Sequence, residues 1–237
     1  MSELVGNSVL VIGGSSGIGQ ATAAAFAAKG AKVTIASRSR SKLDAAASAI
    51  GGNVKTAVLD VTDDAKVQEF FASNEVWDHV VISAAQTPGG PARQLPLASA
   101  YEAMNSKFWG AYRVARLVRI RDGGSLTLVS GYLSDRPRAT SVLQGAINAA
   151  LDALARALAL EFTPVRVNSV SPGLIATPLW DGLDAEARQK MYADTAKRLP
   201  AACVGQAEDI ARAVLFLAET PFASGSRVLV DGGAVIA

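Results

Sequence analysis

The chain has 237 residues, half of them apolar but only 6 % aromatic, and a net charge of +2. That length suits one α/β domain whose core is built by alanine and aliphatic packing, while scattered basic residues and short, interrupted apolar runs exclude nucleic acid and membrane as expected partners. Cys203 is the single cysteine and His79 the single histidine, so a disulfide framework, a zinc site and a Ser-His-Asp triad are not expected, and no metal is assigned.

The N-terminal stretch lacks the basic flank and apolar segment of a signal peptide, so a cytoplasmic protein is expected. Ser8 to Ile12 reads as a buried strand running into Gly13-Gly14-Ser15-Ser16-Gly17-Ile18-Gly19, and the alanine-rich stretch Gln20 to Lys29 as a helix. A helix that starts at such a turn aims free N–H groups and its positive dipole end above the strand, which favours a bound phosphate. Lys32 to Arg38 reads as a second strand, at the distance where a dinucleotide-binding βαβ unit meets the adenosine ribose. No carboxylate stands at its end. Ser37 and Arg38 offer instead a hydroxyl and a guanidinium suited to a 2′-phosphate, so NADP(H) is favoured over NAD(H).

Val54 to Leu59 reads as a strand ending at Asp60, and Ala65 to Ala72 as a helix. His79 to Ile82 is a strand opened by an edge or core histidine and followed by Ser83-Ala84-Ala85. A long helical pattern runs from about Leu97 to Ile120, and Gly123-Gly124 stops it before the strand Ser125 to Val129. Val142 to Phe162 is another long helix, and Val165 to Val170 a strand ending at Ser171-Pro172-Gly173. Helical segments near Ala185 to Arg198 and Ala207 to Ala218 lead to a last strand, Arg227 to Val230. This alternation predicts a single Rossmann-like, doubly wound α/β domain over 1–237. It has about seven parallel strands, helices on both faces and ligands at the carboxyl ends of the strands.

Several motifs coincide in order. They are Gly13, Gly17 and Gly19; Asp60-Val61; Asn105; Pro172-Gly173-Leu174-Ile175-Ala176-Thr177; and Asp231-Gly232-Gly233. On these the chain resembles the short-chain dehydrogenase/reductase family over essentially its whole length, although Gly13 stands where that family usually has threonine. The resemblance implies a cofactor site made by Gly13, Ser15, Ser16, Gly17, Ile18 and Gly19, with Ser37 and Arg38. Asp60 and Val61 would hold the adenine, Ala84 and Asn148 would join the set, and Pro172, Gly173, Ile175 and Thr177 would line the nicotinamide.

The family uses a Ser-Tyr-Lys constellation. Aligning Leu154 to Glu161 with the family's helix end and counting back puts the lysine position on Asn148 and the tyrosine position on Gln144, on one helix face. The serine position falls on Gly131, with Ser130 one residue before it. Gln144 does not ionise and Asn148 carries no charge. Tyr132, four residues before Arg136, either reaches the nicotinamide from its loop or lines the pocket.

Two function classes therefore stay open. One is an atypical NADP(H)-dependent oxidoreductase that works through Ser130, Tyr132 or water around Gln144 and Asn148, with Asn105 in support. The other is a catalytically inactive NADP(H)-binding sensor or regulatory protein. A substrate lid is expected near 178–200, where Leu179 and Trp180 either meet an apolar small-molecule ligand or simply pack. The resemblance also implies a homodimer or homotetramer.

Overall fold

The computed structural model describes residues 4–237. Strand β1 (Ser8–Ile12) leads through the glycine turn into α1 (Gly17–Ala28), β2 (Lys32–Ser37), α2 (Arg40–Ile50), β3 (Lys55–Val58), α3 (Asp64–Phe71) and β4 (Val76–Ile82). Next come α4 (Leu97–Ala103), a π-helical turn over Met104–Trp109, α5 (Gly110–Leu117) and β5 (Arg119–Val129). The long α6 (Val142–Glu161) and β6 (Arg166–Pro172) precede β7 (Ile175–Ala176), α7 (Ala185–Ala196), β8 (Gly205–Gln206), α8 (Ala207–Glu219) and β9 (Arg227–Val230).

Seven of these strands form one parallel sheet in the order β3-β2-β1-β4-β5-β6-β9, and β7 pairs with β8 alone. The chain winds outward from β1 to β3, then returns to β4, which pairs with β1 on the other side. The strand order reverses between β1 and β4, and such a switch point leaves a crevice at the carboxyl ends of the strands.

Alternating side chains along each strand feed two separate cores. Leu10, Ile12, Val80, Ile82, Leu126 and Leu128 pack with Val67, Val114, Leu151 and Ala155 from α3, α5 and α6. Val9, Val11, Val33, Ile35, Val81 and Val170 pack with Phe26, Leu43, Ile210 and Val214 from α1, α2 and α8 on the opposite face. Burial on both faces explains why the strands read as unbroken apolar runs.

Three differences from the sequence reading stand out. The helix expected to reach Ile120 ends at Leu117, because residues 119–124 join β5. Gly123, with φ +79°, does not stop a helix; it sits beside a register shift between Trp77 and His79 in the β4–β5 pairing, a bulge inside the strand. Helix α2 was not anticipated; its N-terminus is capped by the Ser39 hydroxyl, which accepts from the Lys42 N–H. His79 does not open its strand; of the edge and core settings expected for it, it takes the core, buried in mid-β4 between β1 and β5. Among the described residues no helix is long and apolar enough to cross a membrane.

Candidate cofactor and active-site cleft

A cleft of about 790 Å³ opens at the carboxyl ends of the strands, over the switch point. Its floor at one end is the glycine turn. The Gly13 N–H donates to the Ala36 carbonyl at 2.8 Å, and α1 crosses so near the turn that a β-carbon on Gly19 would lie 2.1 Å from the Gly13 oxygen. Glycine is required there by space. Helix α1 begins without a side-chain cap from Ser16, so its first N–H groups are left for a ligand, and Ser15, Ser16, Gly17, Ile18 and Gly19 all line the cleft.

Ser37 and Arg38 border the same end. The Ser37 hydroxyl is buried and has no hydrogen-bond partner among the described residues, an exception among buried polar groups that calls for an acceptor or donor from a ligand. Arg38 is exposed. Asp60 accepts from the N–H and hydroxyl of Thr62 at 3.0 and 2.7 Å. Partial burial raises its pKa, but those two bonds and the Arg38 and Lys66 charges outweigh it and hold the carboxyl below its ordinary value. Val61 and Ala84 complete this wall. An uncapped helix start, an orphaned hydroxyl and a free guanidinium fit an anionic dinucleotide.

Pro172, Gly173, Ile175 and Thr177 line the middle of the cleft. A β-carbon on Gly173 would lie 2.7 Å from the Asp231 α-carbon. The Asp231 carboxylate in turn accepts from the N–H groups of Gly233 and Val235, each at 2.9 Å. The turn after β9 thus braces the end of β6 from below.

At the far end Gln144 and Asn148 both face the cleft from α6. The Gln144 amide donates to the Thr87 carbonyl at 2.8 Å, and the buried Asn148 accepts through Oδ1 from Lys107 Nζ at 2.6 Å. Ser130 is buried and its hydroxyl donates to the Val170 carbonyl at 3.3 Å, along the sheet. Tyr132 is buried on a single 3₁₀ turn with Arg138 stacked 5.7 Å from its ring centre. It lines the cleft. In the 178–200 segment, the Trp180 indole donates to the Ile175 carbonyl at 2.9 Å, which ties this stretch to β7, whereas Leu179 stays exposed.

Asn105 does not line the cleft. Its side-chain amide donates to the Thr62 carbonyl at 3.4 Å, away from Gln144 and Asn148. The residue from this helix that reaches them is Lys107, which sequence reasoning missed. Its ammonium donates to the Ser130 carbonyl at 2.7 Å as well as to Asn148. Burial pushes its pKa down to about 8, against the opposing pull of Asp152. The available signal was a lone lysine between Ser106 and Phe108; which face it occupies depends on the π turn, which spacing at 3.6 residues does not register.

Residues 12–235 match the family described as enoyl-(acyl carrier protein) reductase. The chain is 31 % identical to a short-chain dehydrogenase/reductase of Stachybotrys chlorohalonatus over the whole of both chains. It is 30 % identical to the NADP-dependent (R)-specific alcohol dehydrogenase of Lentilactobacillus kefiri over 98 % of this chain and 97 % of that one. A small-chain dehydrogenase solved in complex with NADPH superposes with a TM-score of 0.82 at 33 % identity, covering 98 % of this chain and 100 % of that one. The parallel sheet, the glycine turn at its switch point and full-length matches of this kind place the chain in the short-chain dehydrogenase/reductase family of NAD(P)H-binding oxidoreductases.

Proposed function

We propose that the protein is an atypical NADP(H)-dependent oxidoreductase of this family with a non-standard active site. One observation carries the reading: a single cleft has Ser37 and Arg38, and no carboxylate at that terminus of β2, towards one end and the non-ionising Gln144 and Asn148 towards the other. The N–H groups opening α1 would hold the diphosphate, Arg38 and Ser37 the 2′-phosphate, Asp60 and Val61 the adenine, and Pro172 to Thr177 the nicotinamide. When bound, the dinucleotide supplies a two-electron hydride donor or acceptor. The NADPH complex of the 33 % identical neighbour and the NADP dependence named for the Lentilactobacillus relative support the phosphate preference.

Gln144 and Asn148 orient rather than titrate. Gln144 is committed to Thr87 and Asn148 to Lys107, so neither side chain hands a proton to a substrate oxygen. Leu179 and Trp180 add apolar surface to the cleft wall, which suits an apolar or aromatic substrate.

Fluorescence titration of NADPH and NADH tests the cofactor assignment. NADPH binds more tightly, and Arg38→Ala weakens it about 10- to 100-fold, the loss expected for a charge-assisted hydrogen bond, while NADH binding barely changes. Equal affinity of the wild type for both would overturn the preference. NADPH consumption is then followed against carbonyl, quinone and flavin acceptors. Tight binding with silence across all three classes would favour the sensor or regulatory reading instead.

A further inference from the structure

Gln144 and Asn148 bring no charge to their end of the cleft, and the π turn brings one. Over Met104–Trp109 the helix widens to i→i+5 bonding. Asn105 then faces Thr62, Ser106 accepts from the Gln86 N–H at 2.8 Å, and Lys107 enters the cleft wall. Single π turns of this sort commonly mark functional sites.

The Lys107 ammonium bridges the end of β5 and the face of α6, 2.7 Å from the Ser130 carbonyl and 2.6 Å from Asn148 Oδ1. An ammonium has three protons to donate. Two are used, and no third acceptor is present among the described residues, although the side chain borders open cleft. Asn148 is fixed by this bond with its oxygen towards the cation, which leaves its Nδ2 pointing to Gly131. Asn148 is thus a positioning residue for Lys107.

We infer that Lys107 is the proton donor of this cleft, its free N–H aimed at the oxygen of a carbonyl substrate. The inference rests on the reading just given, in which the reduced dinucleotide is the two-electron donor. The carbonyl carbon accepts a hydride as the C–O π bond opens onto oxygen, and the oxygen takes a proton from Lys107 Nζ. The products are an alcohol, the oxidised dinucleotide and a neutral amine, which water reprotonates.

Its titration suits the task, because a general acid works best with a pKa near the operating pH. Burial brings Lys107 to about 8, and the Asp152 carboxylate on α6 opposes that shift. Asp152 is held by the hydroxyls of Ser169 and Ser134 and by Arg227 on β9. Tyr132 and Arg138, beyond β5, and Asp181, next to Trp180, are further ionisable groups lining the cleft.

The test has two arms. In the protein without dinucleotide, competitive labelling of lysines with acetic anhydride across pH, read by peptide mass spectrometry, gives a Lys107 midpoint near 8. In the second arm NADPH oxidation by acetophenone is measured. Lys107→Met lowers the rate about 10²- to 10⁴-fold, the usual worth of a general acid, and removes a pH break near 8, while NADPH affinity stays within about threefold. Lys107→Gln keeps donors for Ser130 and Asn148 and guards against a folding defect; it loses the same activity at an unchanged melting temperature. A labelling midpoint near 10.5 in protein that binds NADPH would sink the lysine assignment alone, as would a pH break that survives both substitutions. Failure of the wild type to bind NADPH would sink the dinucleotide reading and the proton transfer with it, and failure to oxidise NADPH with acetophenone would sink the transfer to ketones.

Discussion

A β-carbon placed on Gly131 would lie 2.6 Å from Nδ2 of Asn148. The neighbour is a side-chain end that could ordinarily swing aside, but Asn148 is buried and its oxygen is held by Lys107. Gly131 and Asn148 are therefore matched in size, and Lys107 and Asn148 as hydrogen-bond donor and acceptor. Gly131→Ser alone is expected to lower stability by about 1–3 kcal/mol, as overpacking does, without raising carbonyl reduction. Urea denaturation of the single variant checks it; an unchanged midpoint would mean that Asn148 turns freely.

The same pairing governs any attempt to install the family's constellation. In a variant carrying Gly131→Ser, Gln144→Tyr and Asn148→Lys, the new ammonium would stand where Lys107 now finds an oxygen, and two buried like charges would meet. The triple variant is expected to fold poorly or to carry one lysine neutral. Adding Lys107→Gln removes the conflict, restores the melting temperature and raises ketone reduction by about 10²-fold or more above the triple variant. Equal stability and activity of the two would show that the charges do not interact.

Tyr132 remains the other candidate donor, and its setting argues for a packing role. It is buried on a 3₁₀ turn with Arg138 over its ring, and its hydroxyl makes no hydrogen bond among the described residues that would align or activate it. Tyr132→Phe is accordingly expected to keep ketone reduction within about threefold of the wild type, far short of the loss that a general acid would show. A drop of 10²-fold in steady-state turnover, with NADPH affinity intact, would transfer the donor role from Lys107 to Tyr132.

Much of the fold was legible because it rests on local signals. Strands buried on both faces appear as apolar runs, and the glycine turn is forced by the contact of Gly19 with Gly13. The place of Ser37 and Arg38 on the cleft was legible for the same reason, since it follows directly from where β2 ends. The far end was legible only in part. Gln144 and Asn148 lie four apart on a regular helix, so their shared face follows from spacing, and both line the cleft. Lys107 does not follow from spacing, because a π turn alters which residues of the helix face the cleft: Ser106 and Lys107 line it and Asn105 does not. Gly123-Gly124 misled for a related reason, since a bulge inside a strand and a helix stop use the same residue type.

His79 yields a prediction about stability rather than catalysis. Its Nδ1 lies 2.9 Å from the Ser125 hydroxyl, its Nε2 3.2 Å from the Asn7 side-chain amide, and its ring stacks on Phe26 at 5.9 Å between centres. The amide donates to Nε2, so the ring is neutral with its proton on Nδ1. Burial, helped by the Arg166 charge and opposed by Asp78 and Glu219, lowers its pKa from 6.5 to about 4. The sign follows from proton counting. Above pH 6.5 neither state binds the proton; between 6.5 and about 4 the unfolded chain binds it and the folded chain does not, so stability falls as pH falls, by up to roughly 3 kcal/mol. His79 is the only histidine, and carboxylates titrate mostly below this window, so the slope belongs to it. His79→Gln is expected to be less stable than the wild type at pH 7, having lost the stacked ring, and to show little further loss down to pH 4.5. Urea unfolding free energies measured from pH 7 to 4.5 decide the matter; parallel slopes for the two proteins would place the acid sensitivity elsewhere.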